Sequence, residues 1–199
     1  MINRVLPYYL EDRSGHYTGT DFDEIYDRLF LRVARPTPAQ ALAAHYPGPD
    51  AALTLMIYDT GRRSASPRLS RPPPREPAAI LEFGANGALG TISFVEARVS
   101  MPMAQYLRKT SMFAGSLSRK FTAANGEEYR WIHHAVKDHE WSCVDSRDYV
   151  VAHYSVKSSE KVAYNTSGNV LTIYEPFTHL AIEILATLTI MRHLAAEKY

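Results

Sequence analysis

The sequence predicts a mainly β protein, an antiparallel β-barrel of about 11–12 strands enclosing a hydrophobic C-terminal helix. Two observations predict it. The stretch Thr178 to Tyr199 carries Leu180, Ala181, Ile182, Ile184, Leu185, Ala186, Leu188, Ile190 and Met191 at nearly every angle of a helical wheel. A helix that is apolar all round must be enclosed all round. The rest of the chain is a series of short alternating runs joined by turn residues, with no second long helical pattern. The two constrain each other: an eight-stranded barrel is filled by its own side chains, so enclosing a helix about 10–12 Å across takes a wider one.

Taken in order, Ile2 to Leu10 is a short strand, interrupted by Pro7 and therefore suited to an edge or bulge. Leu29, Leu31 and Val33 alternate with Arg28, Phe30, Arg32 and Ala34, which makes a strand with one buried face. Thr37 is placed to cap a helical turn from Pro38 to Ala44, before Pro47-Gly48-Pro49 ends it. Leu53, Leu55 and Ile57 alternate with Thr54, Met56 and Tyr58 as a further strand. From Thr60 to Pro77 the composition turns to arginine and proline, with Arg62, Arg63, Arg68, Arg71 and Arg75, and reads as a mobile loop.

Hairpins follow. Ile80–Phe83 and Thr91–Val95 flank Gly84-Ala85-Asn86-Gly87, Leu117–Phe121 and Tyr129–His133 flank Ala124-Asn125-Gly126, and Val162–Tyr164 and Val170–Tyr174 flank Thr166-Ser167-Gly168-Asn169. Asn-Gly and Gly-Asn between alternating runs are strong hairpin signals. His139–Val144 and Tyr149–Val156 add two strands, and the Ser100–Leu107 region supplies one more.

Composition bounds the function classes. With 46% hydrophobic and 22% charged residues, the 199-residue chain is expected to form one domain, 1–199. A net charge of +1 gives no global attraction to nucleic acid, so a charged partner must be met by a local patch. The single cysteine, Cys143, has no intramolecular disulfide partner, and the start MINRVLPYYLEDR lacks a secretory apolar run. Both point to a cytoplasmic setting. Residues 178–191 span about 21 Å with Glu183 in the middle, short of a bilayer core of about 30 Å, so no transmembrane span is expected.

Phe121, Asn125-Gly126, Tyr129 and Trp131, then Trp141, Cys143, Val150-Val151-Ala152 and the threonine-led apolar helix resemble an uncharacterised family of small mushroom (basidiomycete) proteins. The meander ahead of a hydrophobic C-terminal helix also resembles the tubby C-terminal-like superfamily, with its LURP-one-related proteins and phospholipid scramblases. The likeness covers Ile80 to Tyr199. It implies a tubby-like barrel and, from relatives associated with phosphoinositide headgroups, membrane tethering or proposed lipid movement, an anionic phospholipid partner; no ligand-binding residue carries over. The Arg62 to Arg75 loop departs from the pattern.

Candidate chemistry is sparse. There is no nucleophile elbow, phosphate-cradling glycine loop or dinucleotide fingerprint, so no catalytic residue and no cofactor is assigned. His133-His134 with His139 and Cys143 invites a zinc reading, but strand neighbours face opposite ways, and no metal site is assigned. Phe121, Tyr129, Trp131 and Trp141 read as core and cross-strand aromatics. Arg108, Lys109, Arg119 and Lys120 are the candidate contacts to a lipid headgroup, and His179, Glu183 and Thr187, at i, i+4 and i+8, form a polar stripe that is the candidate pocket lining. The expected function is a non-enzymatic binding or tethering module peripheral to an anionic membrane. The alternatives are an enzyme or small-molecule binder with a pocket beside the helix, and an adaptor presenting the proline-rich loop to a protein partner.

Overall fold

Alternating runs separated by turn residues build thirteen strands in the computed structural model, which describes residues 6–40, 51–61, 76–113, 115–156 and 167–197. They are β1 (Tyr8–Asp12), β2 (Thr20–Glu24), β3 (Phe30–Ala34), β4 (Ala51–Asp59), β5 (Ala79–Gly84), β6 (Leu89–Phe94), β7 (Val99–Pro102), β8 (Arg108–Lys109), β9 (Arg119–Thr122), β10 (Glu128–His133), β11 (Trp141–Val144), β12 (Val150–Ser155) and β13 (Asn169–Ile173). They form one sheet in the order β7-β6-β5-β4-β3-β2-β1-β13-β12-β11-β10-β9-β8. A helical turn, α1 (Met103–Tyr106), joins β7 to β8, and the C-terminal helix, α2 (Ala181–Ala196), follows a 3-10 segment at Glu175–Leu180.

The hairpins predicted around Asn86-Gly87 and Asn125-Gly126 form, as β5 with β6 and β9 with β10. Gly126 takes φ 82°, a left-handed conformation that glycine adopts without strain. Gly90 is needed for a different reason: a Cβ there would strike the carbonyl of Glu82, at the register shift between Glu82 and Phe83. Thr37 and Gln40 form a reciprocal cap, Thr37 Oγ1 accepting from Gln40 N at 3.3 Å and Gln40 Oε1 accepting from Thr37 N at 3.0 Å. The strand expected at 162–164, the helical residues beyond Gln40 and the arginine-proline run 62–75 lie outside the described residues.

The helix is enclosed as its pattern demands. Every residue from Ile184 to Met191 is buried, on all sides of α2. Glu175–Ala196 is long and apolar enough to cross a membrane, but here its apolar side chains sit in the hydrophobic core. Its partners come from distant parts of the sheet, so the sheet curls around it: Asp12 at the end of β1, Phe83 in β5 and Trp131 in β10.

The expected barrel closure is corrected. The sheet is open between β7 and β8. Every pairing in the row is antiparallel, so an odd number of strands leaves the two edge strands pointing the same way. Closing the ring would require a parallel pair, and parallel neighbours need a crossover of about a dozen residues or more. Only residues 103–107 separate these two strands. They fill the seam with side chains: Met103, Tyr106 and Leu107 are buried, and the Tyr106 ring lies 5.5 Å from Phe94 in β6 and 5.8 Å from Phe121 in β9.

A second departure is β2. Its sequence, TDFDE, carries no alternation of apolar residues, yet Asp23 and Glu24 are buried between β1 and β3. Glu24 is held by Arg28 at 2.6 Å and by the backbone N–H of Tyr26 at 2.7 Å, and Asp23 lies 3.5 Å from Arg13. Burial opposes ionisation of Glu24, but these donors outweigh it and leave its pKa below the usual carboxylate value.

Candidate functional site

Antiparallel pairing of β8 with β9 sets Arg108 opposite Lys120 and Lys109 opposite Arg119, so the four predicted cations meet at one edge of the sheet. They do not share one role. Arg108 and Lys109 are exposed, and Lys120 is half-buried. Glu128, across β9 on β10, pairs with Lys120 at 3.0 Å and with Arg108 at 3.4 Å. Lys109 has no ion pair among the described residues. Arg119 corrects the expectation: it is buried, and its guanidinium donates to the carbonyls of Ser116 and Ser118, each at 3.0 Å. Burial lowers its pKa from the ordinary arginine value. It shapes the loop between β8 and β9 and is not free to meet a headgroup.

That loop carries what the sequence reading missed. Met112 is fully exposed and Phe113 is 82% exposed, at the tip between the cations of β8 and β9. The signal was present as Thr110-Ser111-Met112-Phe113 between Lys109 and Arg119, but an isolated apolar pair with no period does not announce whether it faces in or out.

The polar stripe on α2 is accounted for by wall residues. Glu183, in the first turn, accepts from Tyr106 OH at 2.7 Å and from Ala124 N at 3.0 and 3.2 Å, which ties the helix to the seam and to the β9–β10 turn. Thr187 accepts from the indole N–H of Trp131 at 2.9 Å and donates to the Glu183 carbonyl at 2.8 Å. His179 is exposed in the 3-10 segment. Among the described residues the three thus differ in setting, two bonded to protein groups and one exposed.

The other end of α2 is more polar. Asp12 is fully buried and accepts from Thr20 Oγ1 at 2.5 Å, Gly15 N at 2.8 Å, Tyr154 OH at 2.6 Å and Arg192 at 3.2 Å. Arg192 also donates to the Gly15 carbonyl at 2.6 Å and lies over the Tyr154 ring. Beside it opens a cleft of about 530 Å³ lined by Tyr17, His133, His134, Glu140, Arg192 and the end of the helix. Burial raises the pKa of Glu140, although Arg192 opposes the rise, and the buried indole N–H of Trp141 faces this carboxylate without closing a hydrogen bond.

His133 and His134 refine the alternation argument. His134 takes φ 49° as the chain leaves β10, and the two rings come to 4.0 Å. No group of three His, Cys, Asp or Glu side chains converges on one point among the described residues. Cys143 is fully buried, which raises its thiol pKa well above the usual value, so it lacks the thiolate character of a nucleophile. Phe121, Tyr129, Trp131 and Trp141 are all buried in the core.

The sequence matches a described family of unknown function (DUF6593) over residues 50–197, most of the chain. The chain belongs to that family. The match begins at β4, so the family segment contains the curled sheet from β4 onward, the basic edge, the apolar loop and α2, while β1 to β3 lie ahead of it and join the same sheet between β4 and β13. No curated protein and no solved structure matches the chain.

Proposed function

We propose that this chain is a non-enzymatic binding module that docks on anionic phospholipid surfaces through the β8–β9 edge. The observation that carries the reading is the strand register, which gathers cations from two neighbouring segments at one sheet edge, with Arg108, Lys109 and Lys120 reaching solvent. Glu128 pairs with Arg108 and Lys120, and Asp145 and Asp148 line the same surface, so the attraction rests on Lys109, which has no ion pair among the described residues, and on the two paired cations exchanging Glu128 for lipid phosphate. Each cation close to an anionic surface contributes about 1 kcal/mol, and the attraction fades beyond a Debye length of about 10 Å at 0.1 M salt. The helix held inside a curled antiparallel sheet supports placing the family near the tubby-like superfamily, whose members are associated with membranes. A cytoplasmic protein peripheral to a membrane fits this reading. The lipid reading is preferred to a pocket along α2 because Glu183 and Thr187 already hold protein partners.

Co-sedimentation with vesicles of phosphatidylserine and phosphatidylcholine, at low and at physiological salt, tests the proposal. Binding is expected at low salt and is expected to fall at least tenfold when Arg108, Lys109 and Lys120 are all changed to glutamine, since about 1 kcal/mol from each sums to more than a factor of ten. Absence of binding at both salts excludes the reading. Binding that survives this triple change and is lost on replacing the arginines of 62–75 moves the site to that segment.

A further inference from the structure

The cations explain only part of the β8–β9 hairpin. Met112 and Phe113 are the most exposed large apolar side chains among the described residues, and they are adjacent. A single exposed apolar side chain is ordinary on a protein surface. Two at one loop tip, bracketed in sequence by Arg108-Lys109 and Arg119-Lys120, make an amphipathic feature with an apolar point and a basic base.

The loop is also ordered from behind. Thr110 N donates to the Ser118 carbonyl at 3.3 Å, and Ser116 N to the Phe113 carbonyl at 3.0 Å. Ser111 Oγ accepts from Phe113 N at 3.2 Å, and Ser118 Oγ donates to the Trp131 carbonyl at 3.2 Å, which fastens the loop base to β10. The Arg119 guanidinium sits under the loop on the carbonyls of Ser116 and Ser118. Described groups of the loop thus bond to one another, while the two apolar side chains are exposed outside the core.

The register places this loop at a defined end of the molecule. Arg119 lies opposite Trp131, and the β9–β10 turn at the far end of these strands meets Glu183 at the start of α2. The Met112–Phe113 tip therefore leaves the sheet at the end where α2 finishes, the same end as the segment between β10 and β11. That segment carries exposed Val136 and Lys137. The strands bearing the 62–75 segment, β4 and β5, leave for it at the opposite end, since Asp59 pairs with Leu31 near the start of β3 and Asp12, beside the last turn of α2, lies at the other end of the sheet.

We propose that Met112 and Phe113 insert into the boundary between headgroups and acyl chains of an anionic bilayer, while Arg108, Lys109 and Lys120 engage the phosphates around them. This rests on the membrane-docking reading and adds the part of the contact that salt does not screen. Apolar insertion follows buried area, and full burial of a Met or Phe side chain contributes about 1.5–3 kcal/mol, so even partial insertion of both changes affinity by about tenfold to a hundredfold. Arg119 acts as a positioning residue that keeps the tip presented.

The substitution Phe113→Trp reads insertion directly, because the native Trp131 and Trp141 are fully buried and give a steady background. With vesicles of phosphatidylserine and phosphatidylcholine, the added indole is expected to shift its emission to the blue and to be quenched by lipids brominated on the acyl chain. Vesicle sedimentation with unchanged emission and no quenching overturns insertion and leaves surface docking standing. No sedimentation at any salt overturns both. The double change Met112→Ser with Phe113→Ser, at positions that contribute nothing to the core, is expected to keep wild-type unfolding behaviour and weak low-salt binding while losing about tenfold or more of the affinity at physiological salt. Affinity equal to wild type at physiological salt would overturn the proposal.

Discussion

His153 sits in β12 opposite Ser142 and Thr172, both buried, and its ring stacks on His139 at 3.7 Å and 7°. Its Nδ1 is buried with no hydrogen-bond partner among the described residues. Burial, and then the neighbouring His139, push its pKa down from 6.5 to about 4. In the unfolded chain the imidazole takes a proton near pH 6.5, whereas in the fold it resists until near pH 4, so the unfolded state binds more protons between these values. The corresponding stability is present above pH 6.5 and is lost as the pH falls through this window. Urea unfolding between pH 7.5 and 4.5 is expected to show a steeper loss for wild type than for His153→Phe, which keeps a ring in the stack and cannot titrate. Parallel pH profiles would show that His153 is not held neutral. Little of this was legible in the sequence: His139 and His153 are separated by a turn, and only the β11–β12 register brings the rings together. Arg119 teaches the same lesson, because a basic residue in a basic segment gives no sign that its own loop will surround it.

At the scale of elements, the sequence was most informative where a single physical demand ruled the pattern. The all-round apolarity of Leu180 to Met191 required enclosure, and α2 is enclosed. Asn-Gly turns between alternating runs required hairpins, and these formed. β2 was hidden because TDFDE shows no apolar alternation and its buried carboxylates depend on arginines outside the strand, Arg28 just past its end and Arg13 across the β1–β2 connection. The link between α2 and α1 was equally hidden. Glu183 accepts from Tyr106 and from Ala124 N, and Tyr106 is itself nearly buried, with its hydroxyl pKa pushed far up by burial and by the adjacent carboxylate. Removing the carboxylate with Glu183→Ala therefore strands the Tyr106 hydroxyl, at about 1–3 kcal/mol for a buried donor, whereas Ala124 N sits at an exposed turn where water can replace the carboxylate. Tyr106→Phe should be costly in wild type and nearly silent in the Glu183→Ala background. A double-mutant cycle by urea denaturation measures this coupling; additive losses would show that the two groups do not act as one contact.

On the scale of the whole molecule, the departure from a closed barrel has consequences for where the structure opens. Strand count and helix diameter pointed to a wide ring, and neither reveals whether the number of strands is odd. A strand of two residues such as β8, or one such as β7 that runs straight into a helical turn, leaves too short a pattern to be counted reliably. Oddness leaves the seam to side chains, and side-chain packing protects backbone amides less than a ladder does. Free energies of local opening run from near zero up to the global value, lowest where few buried contacts and single-sided ladders hold a segment. The middle of the row, β1 and β13, is paired on both sides, with β2 and β12 as outer neighbours. The ends are paired on one side only, β7 with β6 and β8 with β9. Native-state hydrogen exchange should accordingly show amides of β7 and β8 opening well below the global unfolding energy, and amides of β1, β13 and α2 exchanging only with global unfolding. Phe113 lies on the loop that continues β8, so one of the two least protected edges is also the one proposed to dock on membranes. If vesicles engage that edge, protection at β8 and its loop should rise on binding while β13 stays unchanged. Equal, slow exchange at β7, β8 and β13 in the free protein would show that the seam is hydrogen-bonded after all and that the ring is closed.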